Sequence, residues 1–442
     1  MRDDISRWSF REANQPMRYE DAIAQLFSMS SKGIRLGIQR MSDALRFRGA
    51  PHEGQIYVQV AGTNGKGSVA SMVASVLTQA GYRTGLYTSP HLHRWVERIR
   101  VNGEPLDEQE AGERIGEVLA AFQHPAAPEM TFFEVTTLIA LEVFRERKCD
   151  VAVLETGLGG RLDATTAVES QVGAITRVAL DHVHLLGENL EAIAKEKAGI
   201  IKPEIPVVVG VRSPSARRVI LERADQLEAP VRLIDRDYRT IPGPGQTFAV
   251  EVGERRFENL RLALPGAHQQ ENAACAVTML LELEARTGLK VSGSIPQGLY
   301  ETRWAGRIEV IDREPMLVVD AAHNVDGCRA LADFVSDQEV TGRRVLVFGV
   351  MRDKDMIGML RTLSPVFDDV LYSPPEMRRA ATYSTLNSIR GGERTASLPA
   401  AIKRARELAG PEGMIVIAGS IFLVAAARAQ LLDLRSDPLI RM

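Results

Sequence analysis

The sequence predicts an α/β protein on a mostly parallel sheet, with a smaller second domain at its C-terminal end. Three observations predict it. Short apolar runs alternate with helical patterns, one run leads through a glycine-rich turn into a helix, and the alternation restarts near residue 304.

In chain order, "IYVQV" (56–60), "VAVLE" (151–155), "VGAIT" (172–176) and "VVVGV" (207–211) read as buried parallel strands. Residues 231–264 are β-rich, and "IPGPGQ" (241–246) marks a hairpin excursion from the main sheet. Beyond "RWAGRIEVI" (303–311), the strands "MLVVD" (316–320), "RVLVFGV" (344–350), "DVLY" (369–372) and "MIVIAG" (414–419) begin a second series. The boundary is expected near Glu301–Gly306, giving domains 1–303 and 304–442. The apolar tract 414–429 is broken by Gly419 and Ser420, so it predicts a buried strand, turn and helix and no membrane span.

Composition narrows the classes. A net charge of −3 with interspersed signs gives no basic face for nucleic acid or a membrane surface. The charged start, "MRDDISRWSFREANQP", has no apolar core for a signal peptide. Cys149, Cys275 and Cys328 are far apart and without metal-type spacing, which fits a reduced, cytoplasmic setting.

The chemistry begins at "VQVAGTNGKGSVASMV" (58–73). From Ser68, Val69, Met72, Val73, Val76 and Leu77 trace one helical face, and Gly81 closes it. Strand, glycine turn and helix N-terminus make an anion site. The amides of Gly62, Thr63, Asn64, Gly65 and Gly67 point at phosphate, Lys66 neutralises it, and Ser68 faces Mg²⁺. The strict P-loop spacing fails, because Val60 occupies the first glycine position and Gly67 separates Lys66 from Ser68.

Glu155 ends a strand beside this loop, where a Mg²⁺ ligand belongs. Asp181 and His182 follow the next strand. Mg²⁺ prefers oxygen, so the residues alone leave His182 open between ligand and packing role, and His184 reads as packed or solvated. Leu190, Ile193, Ala194 and Lys197 share a helical face, which puts Lys197 among apolar side chains. A desolvated amine can act as a nucleophile or take up CO₂ as a carbamate. The plainer alternative, a lysine snorkelling at the helix end, is the one the residues alone favour.

The runs "AGTNGKGS", "TSPHL" (88–92), "TFFE" (131–134), "ETGLGGRLDAT" (155–165), "LDHVHLLG" (180–187), "KEKAGIIK" (195–202), "WAGRIEV" (304–310), "DAAHNVDG" (320–327) and "GVMRDKD" (349–355) occur in this order. Together they resemble folylpolyglutamate synthase and bifunctional dihydrofolate synthase, Mur-ligase-like ATP-dependent amide ligases, from about residue 19 to about 428. The resemblance implies a Mur-type P-loop domain, a Rossmann-like C-terminal domain and ATP between them. It implies Ser89 and Glu155 on one Mg²⁺, and His182 on a second near a carbamylated Lys197. Asn272, Arg307 and Asp320 resemble adenine, phosphate and ribose contacts, and Thr131, Phe132, Phe133 and Glu134 the pterin side, with the loop Ser89–Arg98. The implied partners are ATP, L-glutamate and a folate or pteroate acid, acting on a monomer. Ala305, Ala321 and Val325 depart from the family's usual residues and are expected to alter turn rigidity alone.

Three rivals are a Mur-like ligase for another acid and amino acid, a non-catalytic P-loop ATP switch, and a zinc hydrolase using His182 and His184. The Glu155, His182 and Lys197 set exceeds what a switch needs, and the hydrolase lacks a ligand trio.

Overall fold

A computed structural model describes residues 17–32, 35, 37–375 and 377–438; the charged start read above lies outside them. Eight strands form the larger sheet, in the order Glu104–Pro105, Ile99–Val101, Thr84–Tyr87, Val151–Glu155, Ile56–Ala61, Val172–Ile175, Val207–Val209 and Val231–Leu233. From Thr84–Tyr87 onward every pairing is parallel, and only the two hairpin pairings at the Glu104 edge are antiparallel. The central strands are Val-rich and buried because helices cover both faces.

On one face pack Lys66–Gln79, Ala267–Thr287 and Ile295–Glu301; on the other, Tyr19–Ser28, Glu108–Ala121 and Phe132–Glu146. Lys66–Gln79 is buried nearly all round, Ala70, Ser71 and Ala74 included. Its burial is wider than the sequence stripe because the sheet, Ala267–Thr287 and Ile295–Glu301 all pack against it. The helix also begins two residues earlier than its periodicity suggests, at Lys66.

The excursion is a three-stranded antiparallel sheet, Tyr238–Pro242, Phe248–Val252 and Arg255–Leu260, turning at residues 243–247. A separate six-stranded sheet starts at Glu309–Arg313 and continues through Met316–Asp320, Met414–Ala418, Arg344–Phe348, Asp369–Tyr372 and Glu393–Arg394. Residues 414–432 form the expected strand, turn and helix, Met414–Ala418 and Ile421–Leu432. No described helix is long and apolar enough to cross a membrane. Of the three departures, Val325 does not lie in a loop: it opens the helix Val325–Ser336.

The C-terminal tips of Ile56–Ala61, Val151–Glu155 and Val172–Ile175 lie side by side, and strand order reverses at the first of them. That is where an open parallel sheet takes its ligand.

Candidate active site

The glycine turn leaves Ile56–Ala61 and is pinned to the neighbouring strand tip, with Thr63 N–H donating to Arg177 O at 2.6 Å. Gly65 caps the helix at φ 86°, and a side chain there would meet Asn272 Oδ1 at 2.5 Å. Gly67 lies under Trp304, whose Nε1 would be 2.8 Å from an added Cβ. The loop therefore has no room for side chains except Thr63, Asn64 and Lys66. Lys66 is half-buried, and among the described residues its Nζ hydrogen-bonds only to Thr63 O, at 3.3 Å, which leaves the cation able to turn toward phosphate.

Glu155 is 4% exposed and accepts the Ser89 N–H at 3.1 Å, so these two residues sit together. Burial raises its acid range, opposed by the Lys66 cation, the Ser89 amide and Arg307. Lys197 lies on the apolar face its spacing gave, but it does not snorkel: it is 3% exposed and donates to Gly62 O at 2.7 Å. Desolvation, helped by repulsion from Lys66, pushes its ammonium down to about 7. His182 caps the short helix Val183–Leu186 in the left-handed region, and desolvation pushes it down to about 4, so it is neutral at pH 7. His184 is exposed.

These groups line one cavity of about 890 Å³, which also includes Asn272, Arg307, Asp320, Phe132 and Phe133. Among the described residues no three His, Cys, Asp or Glu side chains form a metal cluster. Ser68, Ser89 and Glu155 line that cavity and carry oxygen donors of the kind Mg²⁺ takes, and His182 lines it too.

Several expected contacts carry structural work. Thr131 and Glu134 form a capping box at the start of Phe132–Glu146, and buried Glu134 also pairs with Arg40 at 3.0 Å. On that wall, Phe132 and Phe133 are the residues with apolar surface to offer a ring. Asp320 accepts Ile308 N–H at 2.7 Å and Ala322 N–H at 2.8 Å, fixing the segment that carries Arg307. Asn272 donates to Gln269 Oε1 at 2.9 Å.

The sequence reading missed a set of groups that joins the two sheets' tips. Asp181 accepts from His323 Nε2 at 3.2 Å and Asn324 Nδ2 at 3.3 Å, and pairs with Lys354. Burial would raise Asp181, but His323, Lys354 and His182 hold it well below the usual carboxylate range. Asn64 and Asn324 exchange amide hydrogen bonds at 3.0 Å, and Asp326 accepts from Asn64 at 2.8 Å and from Arg177 at 3.3 Å. His323, Asn324, Asp326 and Lys354 fall inside the runs "DAAHNVDG" and "GVMRDKD", which was their only signal.

Two family models match the chain: the Mur ligase middle domain over residues 60–280 and the Mur ligase glutamate ligase domain over residues 306–421. The dihydrofolate synthase/folylpolyglutamate synthase of Bacillus subtilis is 31% identical over 93% of this chain and 99% of its own length. Against a Haloferax volcanii protein named "Probable bifunctional folylpolyglutamate synthase/dihydropteroate synthase" the identity is 34% over 93% of this chain, which spans only 50% of that longer protein. Escherichia coli FolC in complex with DHPP and ADP superimposes with a TM-score of 0.86 at 33% identity, covering 93% of this chain and 97% of that one. A bifunctional folylpolyglutamate synthase/dihydrofolate synthase with Mn, AMPPNP and L-glutamate bound gives a TM-score of 0.84 at 32% identity, covering 95% and 100%.

Fold and site define a Mur-type ATP-dependent ligase, an enzyme that forms carbon–nitrogen bonds with ATP and a divalent metal. Within that class, the chain belongs to the folylpolyglutamate synthase/dihydrofolate synthase family.

Proposed function

We propose that this chain joins L-glutamate to the carboxylate of a folate, extending tetrahydrofolate and converting dihydropteroate to dihydrofolate. One observation carries the reading: the phosphate loop, the Ser89–Glu155 pair and buried Lys197 face Arg307 and Asp320 across a single cavity. Residues 1–303 form the P-loop domain and 304–442 the ligase domain, a division supported by the change of sheet before Glu309. The enzyme works as a cytoplasmic monomer without nucleic acid or membrane.

A carboxylate is a poor acyl donor. The acid's carboxylate attacks the γ-phosphorus of ATP, ADP leaves, and the glutamate amine then attacks the acyl phosphate to give an amide and phosphate. The loop amides and Lys66 hold the phosphates, and Arg307 meets them from the second domain. Asn272 borders the adenine, Asp320 holds Arg307's segment beside the ribose, and Phe132 and Phe133 receive the pterin. Ser89 and Glu155 would hold one Mg²⁺, and His182 with a Lys197 carbamate a second. Mg²⁺ there supplies positive charge for the migrating phosphoryl group. The Asp181–Lys354 pair and the Asn64–Asn324 exchange keep the two domains closed over the cavity and exclude water from the acyl phosphate.

The test is ADP release with dihydropteroate and tetrahydrofolate, each with and without L-glutamate. Release that needs both an acid and glutamate is expected; acid-independent release overturns the ligase reading. Arg307→Ala is expected to bind the acid normally while kcat falls at least ~10²-fold. Asp320→Asn keeps the side-chain shape and is expected to show a milder version of the same split. An equal loss of acid affinity would mean that these residues shape the acid site instead.

A further inference from the structure

Arg98 is 4% exposed, lines the cavity, and has no carboxylate within 4 Å among the described residues. The acid beside it in sequence is fully engaged: Glu97 accepts the backbone N–H groups of Leu92 at 2.8 Å and of His93 and Arg94 at 2.9 Å. The guanidinium makes a single hydrogen bond to protein, from Nε to His91 Nδ1 at 2.8 Å. A guanidinium can only donate, so His91 Nδ1 is the acceptor of this bond. His91 stacks on Phe27 at 6.0 Å, and the guanidinium lies 5.2 Å over Phe132. Both Nη groups are left with no described acceptor.

A buried cation with no carboxylate in ion-pair contact is costly; Glu155 and Glu97 act on it only from further off, and a stack on Phe132 does not offset that cost. The arrangement makes sense when an anion arrives with the substrate. Two free Nη groups form a fork that matches a planar carboxylate. The guanidinium itself covers this face of Phe132, which leaves Phe133 to face the pterin, and Ser89 and Glu155 line the same cavity. A carboxylate on Arg98 thus marks the end of the acid away from its pterin, on the side of the phosphate site, where the acid must be activated.

We propose that Arg98 binds the reacting carboxylate of the acid substrate and that His91 is the positioning residue that aims it. The inference rests on the folate reading above. L-Glutamate also carries carboxylates, and the aromatic wall favours the acid.

The experiment is calorimetric titration of dihydropteroate and its carboxamide into wild type, Arg98→Gln, Arg98→Lys and His91→Ala, each checked by thermal melting. Wild type is expected to prefer the acid by about 10- to 100-fold, the range of a charge-assisted hydrogen bond. Arg98→Gln should bind both compounds equally at the wild-type carboxamide affinity. Arg98→Lys should recover part of the preference, and His91→Ala should lose part of it with the KM for ATP unchanged. A preserved preference in folded Arg98→Gln overturns the proposal, as does a raised KM confined to L-glutamate. Wild type that binds neither compound would overturn the folate reading itself, and this inference with it.

Discussion

Lys66→Ala is expected to leave a folded enzyme whose kcat/KM for ATP falls at least ~10³-fold, about 4 kcal/mol of lost transition-state stabilisation. The side chain is half-buried and, among the described residues, bonded only to Thr63 O, so the melting temperature should move by no more than about 2 °C. The catalytic loss is larger than one phosphate contact suggests, because Lys66 acts on two neighbours. Its cation keeps the acid range of Glu155 lower and favours neutral Lys197, so removing it shifts both toward their protonated forms. The double variant Lys66→Ala/Lys197→Ala should therefore lose less than the sum of the two single losses. ADP release and a melting curve on the same preparations check both parts. Near-normal turnover in Lys66→Ala would remove the phosphate role from the loop.

What the sequence revealed was mostly local. Strand, glycine turn and helix lie within twenty-odd residues, so periodicity exposed the phosphate loop; the seven-residue spacing from Leu190 put Lys197 on the apolar face but left snorkelling as the favoured reading, which its burial overturns. Contacts between the domains were illegible for the opposite reason. Asp181 meets His323 and Lys354 across 142 and 173 residues, and no local pattern encodes such a meeting. "TFFE" is an instructive case, since it fits the capping-box pattern T-x-x-E, and the structure uses it so. The family resemblance drew attention to a substrate role and away from that simpler reading. Arg98 entered the sequence reading only as the end of the loop Ser89–Arg98, because the lack of a carboxylate in contact with it shows only in packing: neighbouring Glu97 is taken up by three backbone amides.

Lys197→Ala and Lys197→Arg should each lose ligation by at least ~10²-fold, and only the alanine variant should respond to a short carboxylate such as formate. The amine sits at 3% exposure against Gly62 O, in a place where a permanent cation beside Lys66 is unfavourable. Carbamylation exchanges that cation for an anion able to ligate Mg²⁺ beside His182. Uptake of CO₂ requires the neutral amine. With the ammonium pushed down to about 7, roughly half is neutral at pH 7, against roughly one part in three thousand for an ordinary lysine. The sign follows: as pH falls from 8 to 6 the neutral fraction drops from about nine-tenths to about one-tenth, so activation by bicarbonate should fade toward acid. Alanine leaves space that formate can fill with two oxygens. Arginine fills the space, keeps its charge and forms no carbamate under these conditions. The assay compares wild type and both variants at matched bicarbonate, with NMR of isotope-labelled bicarbonate to find the carbamate carbon. Full activity in Lys197→Arg would return this residue to a plain structural role, a lysine closing the helix end against the phosphate loop.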